Sequence, residues 1–214
     1  MTQRLIPITV RGVLAGLCVV LGAEIAAAQG TNLQLVARIG VPCDAVYVKG
    51  KYAYLGSGPD FRILDVSNPT SSVVRGHLFL SSSTIQQIFI SGQMAYLAAT
   101  TTGLQIVDIT SASQPILRGC YDTPGAASGV FVSNRLAYVA DGPRGLRIVD
   151  VSNPSSPTLR GFYDNYRYGG GYPWARSVYV TDGLAYLADR ATLYVIDVSN
   201  PGDQRQLDLL AGDD

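Results

Sequence analysis

The sequence predicts an all-β protein, a β-propeller of about four four-stranded blades that follows a cleavable export signal. Two observations lead to this fold class. The 214-residue chain contains four copies of a repeat of about 42 residues, and each copy has the alternating apolar residues and tight turns of short β-strands. A third observation, an apolar N-terminal stretch, separates the first residues from the repeats.

The N-terminal stretch has the pattern of a secretory signal peptide. Two arginines precede an apolar run that ends at Ala23, and Ala26 and Ala28 are the small residues expected at a cleavage site. We therefore expect residues 1–28 to be removed, which leaves a mature chain of residues 29–214. The run is shorter than the ~20 residues that span a bilayer. The sequence predicts an exported protein (periplasmic, extracellular or on the cell surface) without membrane insertion after cleavage.

The repeats share three short blocks of sequence. A Val-Tyr-Val or similar run comes first, an Ala-Tyr pair follows, and a Leu-x-Ile-Val-Asp run comes third. The Ala-Tyr pairs begin at Ala53, Ala95, Ala137 and Ala185. These matches place the repeats at about 35–73, 74–115, 116–157 and 158–204.

Each repeat is predicted to form four antiparallel strands. The first two flank turns with hairpin residues, such as Ser133–Arg135, and the third ends at a Ser-Asn-Pro turn. A fourth strand carries an Arg-Gly pair, as in Leu159–Gly161. One unit would bury roughly 20 kcal/mol of apolar side chains, whereas ordering it costs on the order of 60 kcal/mol. The units must therefore stack face to face.

The number of repeats leaves the closure of the ring open. Propellers have 4 to 8 blades, so four repeats lie at the lower limit. Leu33–Ile39 and Gln206–Leu210 each sit where a fourth strand could complete the last blade and cover its edge. We expect a closed four-bladed ring. The alternative is an open half-ring that forms a homodimer with a second copy or has lost further blades.

The repeats resemble the LVIVD-repeat family of exported prokaryotic proteins. The resemblance rests on Leu146–Pro154, which reads Leu-Arg-Ile-Val-Asp-Val-Ser-Asn-Pro, with support from Leu104–Asp108 and Tyr138–Gly142. It covers about residues 33–205, and it implies a β-propeller at the cell surface or outside the cell. It implies no common reaction, so no functional residue is carried over. The second repeat departs from the pattern, because Ile109–Pro115 replaces Val-Ser-Asn-Pro.

Composition excludes one class of partner. Lys+Arg and Asp+Glu both number 16, so the formal net charge is zero. Nucleic-acid binding depends on a basic surface, and we therefore predict no nucleic-acid partner. The hydrophobic fraction of 47% is enough for a packed core.

Two cysteines, Cys43 and Cys120, remain after cleavage. An oxidising compartment would allow them to pair. They lie in different repeats and at different positions within the repeat, so a bridge needs a favourable geometry. The sequence favours two small buried side chains over a disulfide.

Aspartates recur at two places in the repeat. One set precedes a polar turn and is expected to accept hydrogen bonds from turn amides; it comprises Asp65, Asp108, Asp150 and Asp197. A second pair, Asp141 and Asp189, follows the second strand of two repeats and is a candidate acidic binding site. Only two of four repeats carry it, so we predict no metal and no cofactor.

The loop before the fourth repeat is the most unusual segment. Residues 163–174 interrupt the repeat with glycines, tyrosines and the single tryptophan. Loops that break a repeat often carry binding residues, and aromatic rings suit a glycan or a protein partner. The candidate binding residues are Tyr166, Arg167, Tyr168, Tyr172 and Trp174. The alternative, which the sequence favours, is that these rings fold back to plug the channel or cap a small core.

No catalytic site is identifiable in the sequence. The single histidine, His77, lies in a predicted outer strand with no nucleophile motif nearby, and a triad needs three matched groups. We therefore expect a non-enzymatic binding or scaffold protein whose partner is a glycan or an envelope protein. The alternative is a secreted polysaccharide hydrolase or lyase that uses carboxylates near Asp141 and Asp189.

Overall fold

The computed structural model describes residues 35–81, 83–164 and 174–202. The chain divides into two compact units, Met1–Val36 and Ala37–Asp214. Only the last two residues of the first unit are described, and they form no strand. All described strands belong to the second unit, and no helix among the described residues is long and apolar enough to cross a membrane.

The second unit consists of four antiparallel sheets in chain order, which we call blades one to four. Blade one contains β1 (Ala45–Lys49), β2 (Tyr52–Ser57), β3 (Asp60–Asp65) and β4 (Val73–Phe79). Blade two contains β5 (Ile85–Ser91), β6 (Met94–Ala99), β7 (Gly103–Asp108) and β8 (Ile116–Tyr121). Blade three contains β9 (Gly129–Ser133), β10 (Leu136–Ala140), β11 (Leu146–Asp150) and β12 (Thr158–Tyr163). The described strands of blade four are β13 (Ser177–Thr181), β14 (Leu184–Ala188) and β15 (Leu193–Asp197).

Each blade is a simple meander in which neighbours in sequence are neighbours in the sheet. The first two strands join through tight turns in which glycine, or Asn134, Arg135 and Asp182, adopts a positive φ. Such left-handed residues match the twist of a two-residue hairpin. The predicted all-β propeller blades and their hairpins are therefore confirmed.

The blade boundaries differ from the repeat boundaries placed on the sequence. The Arg-Gly strand pairs with the Leu-x-Ile-Val-Asp strand of its own repeat, so blade one runs from Ala45 to Phe79. The predicted fourth strand thus belongs to the same sheet as the three strands before it, and the approximate boundary between residues 73 and 74 falls inside β4. The other boundaries are displaced in the same direction, because the hydrogen-bonded unit ends after the Arg-Gly strand.

The Arg-Gly pair marks a bulge in the fourth strand of the first three blades. In blade one Ile63 pairs with Gly76 and Leu64 pairs with Val74, which leaves Arg75 as the additional residue. The same shift skips Arg118 in blade two and Arg160 in blade three. A bulge redirects the side chain of its extra residue, and here that residue is always the arginine.

The glycine of the same pair lets the next blade approach closely. A Cβ placed on Gly76 would lie 2.4 Å from the carbonyl oxygen of Ala112, and one on Gly119 would lie 2.4 Å from that of Pro154. One on Gly161 would lie 2.1 Å from the carbonyl oxygen of Pro201. The turn after each third strand therefore packs on the glycine of the preceding blade, and only glycine fits there.

Adjacent blades bury their apolar residues against each other through repeated positions. We call the side of a blade that meets the next blade its forward face, and the opposite side its rear face. The Tyr of the Ala-Tyr pair and two residues of the third strand form each forward face: Tyr54, Phe61 and Ile63 in blade one. The rear face uses the two aliphatic residues of the first strand and their neighbours, such as Ile88, Ile90, Ala95, Leu97 and Val107 in blade two. The same arrangement joins blades two and three, and blades three and four.

The ring is not closed by the described strands. No described strand of blade one makes extended contact with one of blade four. The described part of Leu33–Ile39 forms no strand, and Gln206–Leu210 lies outside the described residues. Among the described strands, the arrangement is thus the open alternative rather than the expected closed ring.

The prediction of two buried cysteines is wrong. Cys43 and Cys120 are both free and both exposed. Cys120 lies in the outer strand β8, whose residues are all exposed or half-buried, and Cys43 precedes β1.

Candidate functional site

One aromatic side chain from each first strand forms a continuous row, which we call the aromatic row. It consists of Tyr47, Phe89, Phe131 and Tyr179. The ring centroids of Tyr47 and Phe89 are 5.9 Å apart, and the next two steps, to Phe131 and to Tyr179, are 5.0 Å each. The rings are tilted or edge-to-face, which is the favoured geometry for aromatic pairs.

The aromatic row is only partly covered. Its first three members are half-buried, and Tyr179 at the end of the row is 58% exposed. These four residues are not among the site residues predicted from the sequence. The available signal was an aromatic residue at the centre of the Val-Tyr-Val run in every repeat, because a strand position that keeps a ring in all four blades must place those rings side by side.

Asp141 is buried and its carboxylate holds a neighbouring loop. It has 0% exposure, its Oδ1 accepts a 2.6 Å hydrogen bond from the Thr123 hydroxyl, and its Oδ2 accepts a 2.9 Å bond from the Gly125 amide. Burial raises the pKa of Asp141, against the opposing effect of these hydrogen bonds and of Arg147. Both oxygens are occupied by the protein itself, so this group does not face an open site.

Arg147 is the buried cation beside Asp141. Its Nε lies 3.8 Å from Asp141 Oδ2 and its Nη2 lies 2.7 Å from Asp164 Oδ1. Its guanidinium also stacks 4.9 Å from the centroid of the Phe162 ring. The pairing explains how a buried arginine is tolerated.

Asp189 and Trp174 meet at the corresponding corner of blade four. The Trp174 amide donates a 3.2 Å hydrogen bond to Asp189 Oδ2, and the Arg190 amide donates to Oδ1. The Arg190 guanidinium lies 5.7 Å from the Trp174 ring centroid. Of the seven predicted site residues, the structure brings together these two, Trp174 and Asp189.

The contacts of Asp141 and Asp189 have equivalents in the first two blades. In every blade, a side chain ties the segment before the first strand to the loop between the second and third strands. Blade one uses Asp44, whose Oδ2 accepts a 2.7 Å bond from the Gly58 amide. Blade two uses Ser83, whose hydroxyl oxygen accepts a 3.0 Å bond from the Thr101 amide. Asp141 and Asp189 therefore make from the loop side the same connection that Asp44 and Ser83 make from the segment before the first strand.

The aspartates that end the third strands are held by turns and by the bulge arginines. Asp65 accepts bonds of 2.6 and 3.1 Å from the hydroxyl and amide of Ser67, and a bond of 2.9 Å from Arg75. These contacts lower the pKa of Asp65 to about 2. Thr110 and Arg118 do the same for Asp108, whose pKa is also about 2. Turn hydrogen bonds likewise lower the pKa values of Asp150 and Asp197.

Tyr166, Arg167, Tyr168 and Tyr172 lie outside the described residues. His77 is exposed on β4, with its Nδ1 3.8 Å from Asp60 Oδ1. Within the described ranges, no group of three or more His, Cys, Asp or Glu side chains is arranged to hold a metal ion.

A cavity of about 320 Å³ lies between blades three and four. The hairpin turns of both blades line it through Asn134 and Asp182, and Tyr138 of β10 lines it as well. Asp182 Oδ2 accepts a 3.1 Å hydrogen bond from the Thr181 hydroxyl. The lining contains no second carboxylate, so it offers no acid–base pair.

In each blade we call the hydrogen bond between the segment before the first strand and the loop between the second and third strands the clip. The blades, their clips and the aromatic row define the class of this protein: an all-β repeat protein made of propeller blades. The LVIVD repeat matches it four times, at residues 43–77, 84–123, 124–165 and 171–203, and the chain belongs to the LVIVD-repeat family. The predicted family is thereby confirmed. No curated protein sequence matches the chain.

Two computationally designed proteins of known crystal structure have a similar fold. The Ika8 protein superposes with a TM-score of 0.60 at 10% identity over 76% of this chain and 47% of its own, so the present chain spans about half of that protein. The Ika4 protein superposes with a TM-score of 0.57 at 12% identity over 79% of this chain and 99% of its own. At such low identities the likeness concerns the fold alone.

Proposed function

We propose that this LVIVD-repeat protein is an exported, non-catalytic binding module that holds its ligand on the aromatic row. The observation that carries the proposal is the row itself, in which Tyr47, Phe89, Phe131 and Tyr179 contact each other in series across four blades. Aromatic rings give large contact area at low entropic cost, and tyrosine adds a hydroxyl for hydrogen bonding.

The chemistry of the row favours an extended glycan as the ligand. Its steps of 5.0 to 5.9 Å between rings are comparable to the length of one pyranose unit. The rings carry no charge, so a neutral sugar chain can stack on them without removing a charged group from water. An envelope protein with apolar side chains is the second partner that such a surface would accept.

The proposal is tested by affinity electrophoresis in gels that contain a soluble β-1,4-glucan, a β-1,3-glucan or a mannan. We expect retardation by at least one polysaccharide, and Phe131→Leu should weaken it about tenfold because the loss of one stacked ring removes on the order of 1.4 kcal/mol. The matched control is Phe79→Leu, since Phe79 is an exposed ring on the outer strand β4. Equal retardation of both variants would contradict a role for the aromatic row.

The loop at residues 163–174 is the second surface of this binding proposal. Trp174 is half-buried beside Arg190, and Tyr172 lies outside the described residues. In the same gels, the double variant Tyr172→Ala with Trp174→Ala should weaken retardation while the far-ultraviolet circular dichroism stays unchanged. Retardation equal to that of the unmodified protein would remove the loop from the proposal.

Export is proposed from the N-terminal pattern. Expression of the full chain in a bacterial host should yield a secreted or periplasmic product whose first residue is Gln29, as read by intact mass. Recovery of the uncleaved chain from the cytoplasm would contradict export.

A hydrolase or lyase remains the alternative, with one observation relevant to it. A carboxyl with a raised pKa suits a general acid, and burial raises the pKa of Asp141. The burial of Asp141 and its hydrogen bonds from Thr123 and Gly125 indicate a structural role instead. Release of reducing ends or unsaturated products from a polysaccharide, lost in Asp141→Asn, would support the alternative.

A further inference from the structure

The two ends of the blade stack carry halves of an interface that the molecule builds three times internally. Each internal interface joins a forward face to a rear face through the same repeat positions. The rear face of blade one and the forward face of blade four have no described partner blade. These two faces are complementary in shape and apolar character, because each repeats the residue positions of a face that packs against its counterpart elsewhere in the chain.

The rear face of blade one is open at its first strand. Val46 and Val48 are each 60% exposed, whereas Ile88 and Ile90, at the same positions of blade two, are 3% and 4% exposed. Deeper in the same face, Ala53, Leu55 and Leu64 are buried and pack with Val41 and Val66. These residues complete the rear face of blade one. The uncovered part is therefore the inner strand β1.

The forward face of blade four is open as well. Leu193 is 58% exposed, whereas Leu146, at the same position of blade three, is fully buried. Tyr186 is half-buried, whereas Tyr138 is buried. Each exposed side chain has the size and apolar character of its buried counterpart, so exposure reflects a missing neighbour rather than a polar surface.

The aromatic row shows the same interruption. Phe89 and Phe131 each contact two rings, while Tyr47 and Tyr179 at the ends each contact one ring of the row. A blade placed beyond Tyr179 would continue the series if it supplied a ring like Tyr47.

We infer that two copies of this chain associate head to tail, with the forward face of blade four in each copy on the rear face of blade one in its partner. Two such contacts give a closed ring of eight blades, which is the upper end of the range for propellers, whereas three copies would exceed it. Two copies that close in this way are related by a two-fold axis that makes the two contacts identical, and this closure limits the assembly to a dimer.

The proposed contact rests on the inner strands rather than on the outer corner. Internally, the turn after each third strand packs on a glycine of the preceding blade. In the fourth repeat the sequence position that corresponds to Gly76 is Asp208, because Asp208 follows Asp197 at the same spacing as Gly76 follows Asp65. The fourth repeat therefore has no glycine at that position. The exposed turn of blade one, Ser67–Pro69, is thus not expected to dock as the internal turns do.

The test is sedimentation velocity of the purified protein across a concentration series. We expect a dimer, and Val48→Lys or Leu193→Lys should each raise the dissociation constant about a hundredfold, because each buries an unpaired charge at both contacts. The matched control is Leu117→Lys, since Leu117 is an exposed apolar residue on the outer strand β8. It should dimerise normally.

Mixing the two variants distinguishes contact between unlike faces, blade four on blade one, from contact between two copies of the same face. A Val48→Lys copy has an intact blade four and a Leu193→Lys copy has an intact blade one, so a mixture contains one undamaged contact. The mixture should therefore dimerise more tightly than either variant alone. Thermal unfolding of each variant near that of the unmodified monomer establishes that the fold is kept.

Each other outcome overturns the inference. A monomer at every concentration means that the two faces do not join one copy to another. Dimers that survive both lysine variants place the contact elsewhere. A dimer that only Val48→Lys disrupts, without rescue by mixing, identifies a symmetric contact between two copies of blade one.

Discussion

The Arg-Gly pair shows how two adjacent residues take separate tasks. The arginine is the additional residue of a bulge, and its side chain reaches the aspartate at the end of the third strand: Arg118 Nη2 lies 2.7 Å from Asp108 Oδ2. The glycine makes room for the turn of the next blade. One dipeptide therefore fixes the turn of its own blade and the distance to the following blade.

The glycine contact predicts a large cost for a single methyl group. In Gly119→Ala the new Cβ would meet the Pro154 carbonyl oxygen at 2.4 Å, so the two blades must separate. We expect a loss of about 1–3 kcal/mol in the free energy of unfolding, measured by urea denaturation. Gly40→Ala is the control, because a Cβ at Gly40 meets no atom within 4 Å; an equal loss in both variants would contradict this account.

The turn aspartates predict a loss of stability in acid. The folded pKa values of Asp65 and Asp108 are about 2, below the ordinary 3.8, so their contribution is present above about pH 5 and is lost as pH falls toward 2. Melting temperatures measured from pH 6 to pH 2 should decline in that interval. Asp108→Asn should be less stable than the unmodified protein at pH 6 and should show a smaller decline; a decline of the same size would contradict the prediction.

Asp141 predicts a structural rather than a chemical phenotype. Asp141→Ala leaves the Thr123 hydroxyl and the Gly125 amide without their acceptor and removes one of two carboxylates beside buried Arg147. We expect a loss of about 3 kcal/mol in unfolding free energy. Asp44→Ala, the change at the exposed clip of blade one, should cost less than about 1 kcal/mol. Equal losses of unfolding free energy in the two variants would show that burial does not determine how much the clip stabilises its blade.

At the scale of the element, the blade was readable from the sequence because its signals are local. Hairpin turns, alternating apolar residues and the Ser-Asn-Pro turn each depend on a few neighbouring residues. The exact boundaries between repeats are not readable locally, because no short motif says whether the strand that contains Gly76 pairs with the strand before it or with the strand after it. That choice is made by the hydrogen bonds between β3 and β4.

The candidate site was harder to predict because its members depend on the packing of whole blades. Asp141 and Asp189 resembled an acidic pair, but burial and loop contacts decide their role. The aromatic row becomes visible only when the first strands of successive blades are placed side by side. The cysteines were assigned to the core because free cysteine is usually buried, whereas Cys120 lies on an outer strand that no other blade covers.

Equivalent positions in blades one and two should differ in how much stability the chain loses when a lysine is introduced. Ile90 is 4% exposed in the interface with blade one, whereas Val48 is 60% exposed. Ile90→Lys should cost about 4 kcal/mol or more in unfolding free energy, because it buries a charge without a partner, while Val48→Lys should change it by about 0.5 kcal/mol at a concentration where the chain is monomeric. Urea denaturation measures both values, and similar losses would show that the rear face of blade one is covered in solution.

At the scale of the whole molecule, the described blades form a series in which each blade contacts the next one in the chain. Family membership and fold class follow from the repeats, which are numerous enough to recognise without a structure. Closure did not follow, because it depends on which surfaces meet at the two ends of the series. The exposed Val46, Val48 and Leu193 supply that information only once their counterparts are seen to be buried.

The order of these contacts also bears on how the chain reaches its native state. The cluster between blades one and two uses residues of those two blades and their connection alone, and each later cluster likewise joins two successive blades. When each unit contacts only its neighbours, folding can start in one unit and propagate to the next. Folding can therefore advance from the first hairpin toward the last, each completed sheet serving as the template on which its successor assembles.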